Sequence, residues 1–161
     1  MIRIQSYLLL FISLFIASCD ENRTIDLTIT GASDVAFDED SRVSIRLYGF
    51  NSALADSPAT LLRYESRPIR STPHEISISV PDDSRERVEA FDGLDVRPDD
   101  MRYFVTVEID VDGDGSICPM DLIRDYGQAD PENFGPEIPE TTFVIPMTTV
   151  SDERPCLPAA P

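Results

Sequence analysis

The stretch "IDVDGDGSICPMD", Ile109 to Asp121, sets oxygen-bearing groups at the spacing of a cation loop. Asp110, Asp112 and Asp114 stand at alternate positions, Gly115 follows, and Asp121 comes eleven residues after Asp110. In a twelve-residue calcium loop the first, third and fifth positions supply carboxylate oxygens. The sixth turns sharply on glycine, the seventh offers a backbone carbonyl and the twelfth closes the site with a carboxylate. Asp110, Asp112 and Asp114 fill the first three roles, Gly115 the turn, Ser116 the carbonyl and Asp121 the closing position. Ile117 is the apolar residue that would pin the loop to a core. Two departures matter. Asp121 reaches less far than the usual Glu, which weakens calcium and leaves room for magnesium, and Cys118 brings no oxygen, so water takes its place. Asp and Gly are also good turn formers, which accounts for Asp112 to Gly115 without a metal. It does not account for Asp110, Ile117 and Asp121 at their spacings. The expectation is a structural calcium site, because carboxylates this close repel one another unless a cation joins them.

The elements around the loop must aim it. Before it, "YFVTVEIDV" puts Tyr103, Val105, Val107, Ile109 and Val111 on one face of a strand, with Asp110 on the other. After it, "PMDLIRDYG" offers Pro119 for a first helical position, Asp121 for the first turn and Gly127 as a stop. A short helix is therefore expected after residue 118. Further alternating runs are "TIDLTIT", "RVSIRLYGF", "EISISV" and "TTFVIPMTT", with a less regular one in "TLLRYES". Pro146 makes the last an edge strand or a bulged one. Six such runs between Asp, Ser, Pro and Gly clusters predict an all-β domain over 25–150: an antiparallel β-sandwich, immunoglobulin-like or transthyretin-like. "DDSRERVEAF" is either two helical turns, with Val88 and Phe91 toward the sheet, or an ordered loop. "GQADPENFGPEIPE" reads as a long loop, and residues 151–161 as a Pro-rich tail.

The first eighteen residues stand apart. "YLLLFISLFI", preceded by Arg3, is too short to span a bilayer and suits a signal-peptide core. "IASC" then places an aliphatic and two small residues before Cys19, which resembles the bacterial lipobox, whose cysteine is lipidated and becomes the first mature residue. Residues 19–24 would be the lipidated, palmitate-bearing cysteine and a short linker holding the domain near the membrane. Removing 18 of the 161 residues leaves 143, enough for one domain with its own core. Removing Arg3 moves the formal charge from −17 to −18. Nucleic acid and anionic headgroups repel such a chain, so neither is an expected partner. With Cys19 acylated, Cys118 and Cys156 remain as an even pair in an oxidising compartment, which predicts a disulfide tying down the tail.

One family resemblance can be set on residues. "VSIRLYGFNSALADSPATLLRYESRPI", "PHEISISV" and "YFVTVEIDVDGDG" resemble the bacterial lipoprotein family of the YbaY and YscW type. In that family a strand, an Ala-Asp-small-Pro-Ala turn (here Ala55 to Ala59) and another strand precede a strand ending in an Asp-Gly turn. The similarity runs from Arg42 to Gly115. It implies a compact β-sandwich lipoprotein without catalysis, some members being chaperones for secretin assembly in type III secretion. The chain departs from the pattern between Pro81 and Asp100 and in its cysteine-containing extension after Gly115.

Catalysis finds little support. His74 is the only histidine, follows "RSTP" at a strand start, and has no nucleophile motif beside it. The expected function is a lipid-anchored, non-enzymatic binding or assembly module in the bacterial cell envelope, facing the periplasm or exterior, with an envelope protein as partner. The alternative is an extracytoplasmic carbohydrate-binding module or hydrolase; the absence of Trp weighs against a sugar platform.

Overall fold

A computed structural model describes residues 23–31, 34–56, 58–125 and 142–158; the signal segment, Cys19 and the "GQADPENFGPEIPE" stretch lie outside the described residues. The strands are β1 (Thr24–Thr30), β2 (Arg42–Asn51), β3 (Thr60–Pro68), β4 (His74–Ser79), β5 (Met101–Asp110), β6 (Ser116–Ile117), β7 (Leu122–Arg124), β8 (Phe143–Thr149) and β9 (Leu157–Pro158). Among the described residues one α-helix, α1, spans Ser84–Asp92, and a single 3-10 turn spans Pro98–Asp100. β1 to β5 and β8 are the six alternating runs. Their apolar sides form the core: Ile25, Leu27 and Ile29 of β1, Val43, Ile45 and Leu47 of β2, and Val105, Val107 and Ile109 of β5 are all buried.

Seven strands make one sheet in the order β3-β2-β5-β7-β8-β1-β4, and β6 pairs with β9. The all-β character is as expected, but the arrangement differs from an antiparallel sandwich. β1 and β8 run parallel, so the sheet is mixed. It curls into a half-barrel whose two edges approach each other: Arg67 of β3 donates to the Ser77 carbonyl of β4 at 3.2 Å. Pro146 explains how β8 serves two neighbours. β8 pairs with β1 through Pro146 and with β7 from Met147 onward. Proline has no N–H to give at that change of partner, while its carbonyl accepts the Asp125 N–H at 2.8 Å. It marks a hand-over inside the sheet, not an edge.

Along edge strand β3, Arg63, Glu65 and Arg67 lie opposite Leu47, Ile45 and Val43, on the core side. Glu65 accepts from both arginines. Charges turned inward on an edge strand deter pairing with other chains.

α1 closes one end of the half-barrel. Val88 is fully buried, and a Cβ added at Gly49 would meet its side chain at 3.2 Å and those of Met101 and Leu62 at 2.6 and 2.8 Å. Pairs of Arg85 with Glu89 and of Arg87 with Asp83 support the helix, and Gly93 ends it in the left-handed conformation. The expectation for Phe91 is corrected: it is 61% exposed, because this short helix turns only a narrow stripe inward.

The short helix after residue 118 is also corrected. Cys118 and Asp121 close a single turn, Met120 takes φ 86°, and the chain enters β7 directly. Leu122 pairs with Ile109 and Thr149 and is fully buried. Sheet pairing and burial of Leu122 outweigh the local helix signal of Pro119.

A candidate metal centre in the acidic loop

The loop leaves the half-barrel at the end opposite α1. Asp110, the last residue of β5, pairs with Arg42 and is 6% exposed. Its Oδ1 accepts the Gly113 N–H at 2.7 Å and its Oδ2 the Gly115 N–H at 2.8 Å. Asp112 Oδ1 accepts from Asp114 at 3.2 Å, and Asp114 Oδ1 from Ser116 at 2.7 Å. Local hydrogen bonding thus winds the backbone about the carboxylates, as short Asp side chains readily do. Gly113 is required twice over. Its φ is +68°, and a Cβ there would sit 2.6 Å from both the Cβ and the carbonyl oxygen of Asp40.

The three alternate aspartates come together as their spacing predicts. One oxygen from each of Asp110, Asp112 and Asp114 lies within 4.8 Å of the others. Oxygens about 2.4 Å from a common ion span no more than about that distance, so the group fits a hard cation. Asp112 and Asp114 are exposed, which leaves water free to complete the coordination. Asp121, 3% exposed, has another occupation: Oδ1 accepts the Val111 N–H at 2.7 Å and Oδ2 the Cys118 N–H at 2.6 Å. It clamps the two ends of the loop and stands outside the group of three. Ser116 and Ile117 form β6 against Pro158 and Leu157, and Cys118 is disulfide-bonded to Cys156. The tail is therefore fastened to the loop by both bonds.

Burial raises the Asp110 pKa above the ordinary carboxylate value, and the charge of Asp121 adds to the rise. The N–H groups of Gly115 and Gly113 oppose it. Burial prevails, so the ionised site carries an electrostatic cost that a cation would relieve.

A second turn supports the loop and was not found from sequence. Asp38 Oδ1 accepts the Asp40 and Ser41 N–H groups at 2.8 and 3.0 Å, and the Ser41 hydroxyl donates to the Val111 carbonyl. The signal for it is the "DEDS" of Asp38 to Ser41, a turn-forming run whose docking onto residues 111–113 is a tertiary contact. His74 begins edge strand β4 opposite Ile29.

The described residues thus define a class: a small half-barrel, plugged by one helix at one end and carrying an acidic, disulfide-fastened loop at the other. No protein-family model matches the chain, and no curated protein matches it. Among solved structures it is similar to an alternative pilotin from the type II secretion system of Vibrio cholerae, at TM-score 0.50 and 19% identity, over 80% of this chain and 97% of that one. That likeness shows the fold.

Proposed function

We propose that this chain is a pilotin-like lipoprotein of the bacterial cell envelope: anchored through a diacylated Cys19, non-enzymatic, and engaged in assembling an envelope protein of the secretin class. The observation that carries this reading is the fold shared with a pilotin over nearly that whole chain. Support comes from the "IASC" motif, from the resemblance to YscW-type lipoproteins between Arg42 and Gly115, and from the Cys118–Cys156 disulfide, which suits an oxidising compartment. In this reading Asp110, Asp112 and Asp114 hold a calcium ion, with Ser116 and Asp121 shaping the loop about it. A divalent ion there would offset most of the negative charge of three converging carboxylates. Its role is structural, since nothing reactive adjoins it among the described residues.

The test is genetic and biochemical together. Deleting the gene in its host should deplete the membrane-inserted multimer of the cognate secretin. Wild-type chain should restore it, and Cys19→Ser should neither restore it nor incorporate labelled palmitate. Normal multimers in the deletion strain would remove the assembly role, and palmitate-free wild-type protein would remove the anchor.

A further inference from the structure

The chain enters the half-barrel at its α1 end. Arg23 immediately precedes β1; its carbonyl accepts the Val80 N–H at 2.8 Å, and its guanidinium lies 5.7 Å from the Tyr103 ring centre. β5 begins at this end and, as a strand of 10 residues, finishes at the acidic loop about 30 Å away. Only Asp20, Glu21 and Asn22 separate Cys19 from Arg23. Even fully extended, that tether spans at most about 14 Å. An acylated Cys19 therefore keeps the α1 end within about 14 Å of the bilayer, whichever way the rest of the domain turns.

The same end carries apolar side chains that the core does not take. Val88 and Val96 are fully buried, yet Phe91 and Leu94 between them are 61% and 52% exposed. The left-handed Gly93 and the Val96 N–H bonded to Glu89 Oε1 fix this alternation. Acidic neighbours, Asp82, Glu86 and Asp95, surround the patch in sequence and disfavour an anionic surface. Apolar tips beside a short lipid tether fit the headgroup region of a zwitterionic bilayer.

We propose that the α1 end is a membrane-docking surface, on which the domain stands with Phe91 and Leu94 in the headgroup region of a zwitterionic bilayer and the acidic loop pointing away. This rests on the acylation of Cys19 proposed above. It adds an orientation and a second contact that acylation alone does not require.

The chain contains no Trp, so an introduced one reports alone. The full acylated protein, carrying Phe91→Trp, Leu94→Trp or Met120→Trp, would be reconstituted into vesicles of phosphatidylethanolamine and brominated phosphatidylcholine. Met120 is 73% exposed and lies in the acidic loop, so all three substitutions leave the core intact. Phe91→Trp and Leu94→Trp should be quenched several-fold more than Met120→Trp, with blue-shifted emission. Equal quenching at all three positions, or stronger quenching at 120, in protein that floats with the vesicles overturns the docking surface and leaves the anchor standing. Protein that is not acylated and does not float overturns both, and flotation tells the two failures apart.

Discussion

The two ends of the half-barrel solve opposite problems. At the α1 end a helix supplies one apolar plug, Val88, against a glycine whose missing side chain makes room for it. At the other end Ile117 and Leu122 are buried, but the loop between β5 and β7 is otherwise mostly polar. Four aspartates, two left-handed glycines and a disulfide hold a loop whose order comes from hydrogen bonds and covalent chemistry. The first end is stabilised chiefly by burial, with surface ion pairs adding little, and should depend only weakly on ions, pH and redox state. The second should respond to all three. Polar loops can be as well ordered as cores, but they depend on conditions in a way that cores do not.

That contrast can be broken most forcefully at the disulfide. Replacing Cys156 by Ser opens a closed loop of about 39 residues, worth about 4 kcal/mol in the chain-entropy model. Denaturant midpoints of oxidised and Cys156→Ser protein give the loss. Amide exchange should show its local part in residues 110–121 and not in α1.

At the other end, Val88→Ala should cost about 2 kcal/mol through lost burial and a residual cavity. Its denaturation curve should shift equally with and without calcium. An ion-dependent shift would mean that the ends are coupled and the comparison too simple.

Calcium supplies the next increment. A dissociation constant of about 0.1 mM would give about 1.4 kcal/mol at 1 mM ion. Thermal unfolding should show a rise with Ca²⁺ that Asp112→Ala and Asp114→Ala abolish. No shift with Ca²⁺ or Mg²⁺ would reduce the loop to a hydrogen-bonded acidic turn.

Acidity should act in the same place with a definite sign. The folded-state pKa of Asp110 is raised, so between its unfolded and folded values the folded chain binds more protons. Stability from this group is greatest at low pH and falls as pH rises through the folded pKa. In chelator, mild acidification from neutrality should raise the melting temperature, and relief of the −17 charge acts in the same direction. With saturating Ca²⁺ the trend should flatten, because protons then compete with the ion.

The smallest effect is expected at Phe91. A Phe91→Ser change should alter stability by no more than about 0.5 kcal/mol, as at other exposed sites, while weakening contact with vesicles. A larger loss would place Phe91 in the core after all.

How much of this was legible beforehand depends on the range of the cause. Alternation such as Ile25-Leu27-Ile29 and Val43-Ile45-Leu47 reported strands and their buried faces, because a strand's faces follow from a period of two. The meeting of Asp110, Asp112 and Asp114 was legible for a similar reason: alternate aspartates with Gly113 and Gly115 form their own turn with N–H groups close at hand. The joining of Cys118 to Cys156 followed from counting cysteines.

What sequence could not supply were decisions made between distant segments. Whether "PMDLIRD" becomes helix or strand turns on Leu122 finding Ile109 on one side and Thr149 on the other. Whether Pro146 lies at an edge or inside depends on β1 and β7 sharing β8 lengthwise, which brings the parallel pair and the curl with it. That Asp121 also ties the Val111 and Cys118 N–H groups together depends on the way the loop closes. Local periodicity and turn chemistry are written in neighbouring residues. Strand order, partner exchange and the final use of a carboxylate are settled by which long-range contacts bury the most apolar surface and leave the fewest polar groups unpaired.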